Sequence, residues 1–135
     1  MKSVSKFVKK YHYIVAAVLL ACMLAMGIGS MRGDSAIVDE VAHIPSGYSY
    51  VTKQDYRLNP EHPPMMKDLS GLALLPLNPR FPDDIKEWKK DVNGQWETGW
   101  HFLYHDGNNA DAILFWARLP ILLTAIAFGA VLYII

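Results

Sequence analysis

Apolar residues crowd the two ends of this chain, and charged residues fill its middle. Residues 13–31 carry no charged side chain. At about 1.5 Å per residue, a helix of this length spans the roughly 30 Å hydrocarbon core of a bilayer. A second uncharged run begins after Arg118 and continues to residue 135. The pattern predicts a mainly α membrane protein with two transmembrane helices, residues 13–31 and 112–135, joined by a long outer loop that contains short interfacial helices.

The charges around the first apolar run predict its orientation. Residues 1–12 contain four lysines and no acid, whereas Arg32 is the single basic residue directly after the run. Basic residues favour the cytoplasmic side, so we expect a cytoplasmic N-terminus and an extracytoplasmic loop at residues 32–111. The expected location is the plasma (inner) membrane, with multi-pass topology. No polar flank closes the second helix, so we expect it to be incomplete and the chain to be a fragment of a longer polytopic protein.

Two other interpretations of the first apolar run are open. A lysine-rich start followed by an apolar stretch is also typical of a cleaved signal peptide. Residues 19–22, with the sequence LLAC, resemble the processing box of a bacterial lipoprotein. Against both, the apolar run continues past Cys22 to residue 31. A retained membrane anchor is therefore favoured.

The outer loop contains signals for further short helices. Residues 36–50 have helical character, and Pro45 and Gly47 predict a kink or restart within them. Proline is tolerated in the first turn of a helix, so a new helix is expected after Pro64. It is too short to cross a membrane and is expected to lie at the interface. Residues 80–111 are predicted to be irregular.

The bulk composition removes one class of function. The net charge is +0, so no global field attracts nucleic acid. Residues 39–43 have the sequence DEVAH, which resembles a helicase box, but the chain contains no GxxxxGK[ST] loop to hold phosphates. Nucleotide hydrolysis and a nucleic-acid partner are therefore rejected, and membrane lipid is the expected partner.

Asp39 and Glu40 form an acidic pair just beyond the first apolar run. A carboxylate there could accept a proton from an acceptor hydroxyl or hold a divalent cation. On one helix, Asp39 and His43 are i and i+4 neighbours on the same face. The ordinary alternative is a pair of solvated acids in the first turn of a helix, which the helix dipole favours.

Three cationic residues, Arg57, His62 and Lys67, surround the two prolines at positions 63 and 64. A leaving phosphate needs such donors, because charge builds on its oxygens as the bond breaks. The alternative is ordinary attraction to anionic lipid headgroups. The residues alone do not choose between the two.

A metal site is left open by the sequence. Two histidines, His43 and His62, could bind a divalent metal together with Asp39, Glu40 or Glu61. The chain contains no HExxH motif and no paired cysteines, so no spacing matches a strong zinc signature.

The order of these motifs resembles bacterial glycosyltransferases of the GT-C class. The resemblance rests on DE at residues 39–40, DYRL at 55–58, NPEHPP at 59–64 and FWARLP at 115–120. It is closest to the phospholipid-carrier-dependent group, the kin of protein O-mannosyltransferases and aminoarabinose transferases. The similar region covers most of the chain.

This resemblance implies transfer of a sugar from a polyprenyl-phosphate donor to an acceptor hydroxyl at the outer membrane face. It implies that Asp39 is the catalytic base and that Glu40 supports it or binds the sugar. His62 and Lys67 would lie near the lipid phosphate. Aminoarabinose transferases have a lysine where His62 stands, which leaves the identity of the phosphate ligand open. The remaining implied substrate-binding residues are His43, Arg57 and Glu61.

The lipid-linked sugar would be the donor substrate, and no cofactor is certain. The sugar, the acceptor and any use of a divalent metal are open. GT-C relatives have many membrane helices, so this chain alone is expected to be inactive. The alternative is a small non-catalytic membrane-anchored protein, or a lipoprotein, with an exposed binding loop.

Overall fold

The computed structural model describes residues 2–91 and 93–135, with side chains from residue 10 onward. These parts of the chain are helical and contain no strand, which confirms the mainly α class. The α-helices are α1 (Lys2–Met31), α2 (Val38–Lys53), α3 (Met65–Leu74), α4 (Lys86–Lys90), α5 (Gln95–Trp100) and α6 (Ala110–Ile134). A 3-10 turn (Leu75–Leu77) follows α3, and a π-helical turn (His101–His105) follows α5.

Two helices are long and apolar enough to cross a membrane, judged by length and composition. They are Lys10–Met31, the part of α1 beyond a kink at Tyr11, and Ala110–Ile134. The predicted segment 13–31 lies within the first of them, and the predicted segment 112–135 ends one residue beyond the second. Their apolar side chains are largely exposed in the isolated chain: Leu19 is 64% exposed and Phe128 is 62% exposed.

The two long helices pack against each other in antiparallel fashion. A Cβ atom added to Gly27 would lie 2.6 Å from Leu122 Cδ1, and one added to Gly129 would lie 2.9 Å from Leu20 Cδ2. Contacts that run in opposite directions along the two helices require antiparallel axes. The segment between α1 and α6 therefore leaves and rejoins the pair at one end.

The segment between the long helices forms a small packed body around α2. Helix α2 contacts α3 and α5, and α3 also contacts α6. Aromatic rings dominate its core: the Phe81 and Trp88 ring centroids are 4.8 Å apart, and those of Tyr48 and Phe102 are 5.4 Å apart. Burial of such rings is the main favourable term for a body of this size.

Helix α2 continues through Pro45 and Gly47 without a break, so the predicted restart is absent. Pro45 has no N–H to donate to the Val41 carbonyl. Gly99 of α5 packs directly on that carbonyl oxygen, where any added Cβ would overlap it. Packing from α5 thus covers the place where a proline usually bends a helix.

The region predicted to be irregular, residues 80–111, contains α4, α5 and the π-helical turn, and α6 begins at Ala110. Helices α4 and α5 are five and six residues long, so each has too few turns for a helical period of apolar residues to be visible in the sequence. They are held by tertiary packing, with Trp88 and Phe102 buried in the core.

The expected helix after Pro64 is present as α3. It also packs against other helices of the chain. Its inward face carries Lys67, Ser70 and Leu74, all buried. The Ser70 hydroxyl donates to the Ala117 carbonyl of α6 at 2.8 Å. Helix α3 is therefore wedged between α2 and α6.

Replacement of Gly47 by Ala is expected to destabilise the fold, because the added Cβ would overlap the Lys67 carbonyl oxygen where α2 crosses α3. A loss of about 1–3 kcal/mol in unfolding free energy is expected. Chemical denaturation of the chain in detergent micelles measures it. Gly29→Ala, which has nothing within 4 Å of the new Cβ, is the matched control. Equal stability of the two variants would contradict this packing.

Candidate functional site

An ion pair between Glu40 and Arg118 closes one side of the site. Arg118 Nε donates to Glu40 Oε1 at 2.8 Å, and Arg118 Nη2 donates to Oε2 at 2.7 Å. Both side chains are largely buried, at 14% and 21% exposure for Arg118 and Glu40. This two-pronged geometry is the strongest form of a carboxylate–guanidinium pair.

The same arginine also holds the connection between α1 and α2. Its Nη1 donates to the Asp34 carbonyl at 3.2 Å and its Nη2 to the Ser35 carbonyl at 2.9 Å. The hydrogen-bond donors of Arg118 are therefore used by the Glu40 carboxylate and by backbone carbonyls between α1 and α2.

Glu40 also caps α2, because its Oε2 accepts from the Ile37 N–H at 3.0 Å. Burial alone would raise the pKa of the Glu40 carboxyl. The hydrogen bonds from Arg118 and Ile37 outweigh burial and hold that pKa below its ordinary value of 4.5. Glu40 is therefore ionised and fully engaged at neutral pH.

A small pocket of about 90 Å³ lies behind this ion pair, between α2, α3 and α6. One side of its lining is polar, and the other continues into the apolar surface of α6. The lining residues are Glu40, His43, Ile44, Met66, Lys67, Ser70, Ala117, Arg118 and Ile121.

His43 lies on the pocket wall with its ring centroid 5.0 Å from that of His62. Burial lowers the pKa of His43, and the positive charges of His62 and Lys67 lower it further. Asp39 and Glu61 act in the opposite direction but more weakly. His43 is consequently neutral at neutral pH and can accept or donate a proton.

Lys67 is buried at 4% exposure and is held by three protein oxygens. Its Nζ donates to the Asn59 carbonyl at 2.6 Å, to Asn59 Oδ1 at 3.1 Å and to Tyr50 Oη at 3.1 Å. Burial lowers the pKa of Lys67, and burial raises the pKa of Tyr50 to about 12. The three N–H donors of the Lys67 ammonium group are already used in these hydrogen bonds. The group therefore acts on the pocket through its positive charge.

Arg57 lies apart from the other predicted site residues. Its guanidinium pairs with Asp55 at 2.6 Å and stacks over the Trp88 ring with a 4.8 Å separation. Glu61 Oε1 lies 3.3 Å from Asn59 Nδ2 and 3.4 Å from Gln95 Nε2. Glu61 thus supports the loop that holds Lys67.

The fold therefore divides the predicted residues into three groups. Asp39, His43, Glu61, His62 and Lys67 lie within electrostatic reach of one another. Glu40 lines the same pocket as His43 and Lys67 but is engaged in the pair with Arg118, and Arg57 lies apart in the pair with Asp55.

The sequence did not predict two features of the site. The partner of Glu40 lies 78 residues away, and no local signal links them. Among the described side chains, three metal-ligating groups within 4.8 Å of one another occur at His101, His105 and Asp106, not in the predicted metal set. Here a signal was present: the H-x-x-x-H-D spacing places both imidazoles on one side of a helical turn.

Comparison of the chain with protein-family models, with curated proteins and with solved structures found no match.

Replacing Arg118 by Met should destabilise the chain by about 2–3 kcal/mol, because it leaves the Glu40 carboxylate buried without its partner. Arg118→Lys is expected to recover only part of the loss, since an ammonium group cannot bind both carboxylate oxygens in the same plane. The double variant Glu40→Gln/Arg118→Met should be closer to the wild type than Arg118→Met alone. Chemical unfolding in micelles measures these variants together with the single variant Glu40→Gln, and additive effects of the two single changes would contradict the coupling.

NMR titration of His43 should give a pKa below 6.5. His62→Gln is expected to raise that pKa by removing a neighbouring positive charge, and Asp39→Asn is expected to lower it further by removing a negative one. Since the folded-state pKa is depressed, acidification through 6.5 should also destabilise the fold. No change in the His43 pKa in either variant would contradict the described cluster.

Proposed function

We propose that the chain is part of a GT-C-type glycosyltransferase that moves a sugar from a polyprenyl-phosphate donor to an acceptor hydroxyl at the outer membrane face. The observation that carries the proposal is the pocket between α2, α3 and α6. Its polar wall includes His43 and Lys67, and its other wall includes Ile121 of the apolar helix α6. A substrate with a charged head and a long apolar tail needs such a junction.

The proposal places Lys10–Met31 and α6 in the plasma (inner) membrane. Their exposed apolar surfaces would be stabilised by lipid, because water solvates such surfaces poorly. The four lysines of residues 1–12 belong to one end of the helix pair and the α2–α5 body to the other. The positive-inside rule then puts residues 1–12 in the cytoplasm and the packed body outside.

Asp39 is the proposed base for the acceptor hydroxyl. It lies beside Glu40 on α2, it is exposed, and the Arg118 pair engages Glu40 instead. Its charge acts on His43, one turn further along α2. A carboxylate that remains accessible next to a fixed ion pair can approach an incoming hydroxyl.

The proposed phosphate ligands are the paired rings of His43 and His62, with Lys67 supplying positive charge from behind. Lys67 has its hydrogen bonds filled by Asn59 and Tyr50, so its contribution is electrostatic. Charge from a fixed cation stabilises the leaving phosphate without the cost of moving the side chain. His62 thereby takes the place of the lysine that aminoarabinose transferases carry.

A second candidate function is a non-catalytic membrane-anchored protein with an exposed binding body. One observation favours it: Glu40, Arg57, Lys67 and Arg118 all have their charges paired or hydrogen-bonded within the chain. A chain whose charges are satisfied in this way could be a stable fold without a catalytic function. Donor binding and sugar transfer separate the two candidates.

In the complete product of the gene that carries this sequence, Asp39→Asn should reduce sugar transfer by roughly 10²–10⁴-fold, the usual contribution of a general base. The measurement is transfer of labelled sugar from a polyprenyl-phosphate donor by membranes that contain the enzyme at equal abundance. Asp91→Asn, an exposed acid outside the pocket, is the control and should retain activity. Wild-type turnover by Asp39→Asn would remove Asp39 from the mechanism. Absence of transfer by the wild type would favour the second candidate.

A further inference from the structure

A second cluster of polar side chains lies on and directly after the π-helical turn His101–His105, which follows α5. The turn is closed by the Asp106 N–H, which donates to the His101 carbonyl at 3.1 Å. A π-helical turn inside a helical segment is rare and is frequently found at functional sites. Here it brings the two imidazole rings to a centroid separation of 4.4 Å.

Two distances between donor atoms in this cluster match those between ligands of one metal ion, and one ligand atom from each of the three residues lies within 4.8 Å of the other two. Asp106 Oδ1 lies 3.2 Å from His101 Nδ1 and 3.3 Å from His105 Nδ1. Ligands at about 2.0–2.1 Å around a tetrahedral zinc ion are about 3.3 Å from each other. A single ion could therefore contact all three groups with small adjustments of the side chains.

A further carboxylate faces the outer nitrogen of His101. Glu97 Oε1 is 3.9 Å from His101 Nε2, on the side of the ring away from Asp106. At this distance it makes no hydrogen bond, but its negative charge favours a proton on Nε2, which leaves the Nδ1 lone pair for a metal. Glu97 lies one turn before His101 on the same helical segment, so it is placed to orient the ring.

An open cleft provides room for a fourth ligand. It has a volume of about 360 Å³ and is lined by the three proposed ligands together with residues of the 80–85 segment, including Arg80 and Phe81. Arg80 would attract an anionic group to the open position. Sites with three protein ligands and one open position bind water or substrate at the metal.

We propose that His101, His105 and Asp106 bind a divalent transition metal ion of the zinc type, with its open position toward the cleft beside Arg80. Imidazole and carboxylate donors suit zinc better than magnesium or calcium, which prefer oxygen ligands alone. The site is separate from the proposed sugar-transfer pocket and does not depend on that function. The alternative for the same geometry is a pair of metal-free histidine–aspartate hydrogen bonds.

Zinc titration tests this site directly. The whole chain, carrying a purification tag without histidine and stripped with chelator, is titrated with Zn²⁺ in detergent micelles by calorimetry. Saturation at one equivalent is expected. His105→Ala is the most informative variant, because the His105 side chain is 65% exposed and its loss should leave the fold intact. It and Asp106→Asn should each weaken zinc binding by at least about tenfold, and Glu97→Gln by a smaller factor.

The matched control is the double variant His43→Ala/His62→Ala, which removes the other close histidine pair. It should retain zinc binding at one equivalent. Cobalt(II) substitution should give the visible absorption bands of a four-coordinate ion, and these should vanish in His105→Ala. Unchanged zinc affinity in His105→Ala, loss of binding in the His43/His62 double variant, or absence of saturable binding by the wild type would each overturn the proposal.

Discussion

The hydrogen-bonded pair of Glu40 and Arg118 is the interaction on which the arrangement of the chain depends. A single guanidinium, that of Arg118 in α6, binds the first turn of α2 and the carbonyls at residues 34 and 35 after α1. The two long helices and the small packed body are thereby joined at one point. Because the pair is largely desolvated, its loss would leave a buried charge, so the geometry around it is firmly set.

The chain uses most of its charged residues near the pocket for structure. Glu40 caps a helix, Lys67 joins α3 to the Asn59 loop, and Arg57 fixes the loop against Trp88. The groups that remain accessible around the pocket are Asp39, His43 and His62. Adjacent acids, Asp39 and Glu40, therefore have different roles: one is committed to the fold, and the other is available for chemistry.

Features with a local cause were predictable from the sequence. The apolar runs set the two long helices, Pro64 marks the start of α3, and the spacing of Asp39 and His43 places both on one helix. Features that depend on distant contacts were not predictable. Arg118 finds Glu40 only after the chain has folded back, and α2 continues through Pro45 where the distant Gly99 packs against the Val41 carbonyl. The spacing of His101 and His105 is visible in the sequence. The contact of both rings with the same carboxylate depends on the π-helical turn.

Photo-crosslinking can show whether the pocket between α2, α3 and α6 binds a polyprenyl phosphate. The chain would be placed in lipid nanodiscs with a photoreactive polyprenyl phosphate, and labelled residues would be mapped by mass spectrometry. The account predicts labelling concentrated at Met66 and Ile121 on the pocket wall, suppressed by unlabelled polyprenyl phosphate but not by polyprenol without the phosphate. Uniform labelling along the exposed faces of α1 and α6, indifferent to the competitor, would contradict it.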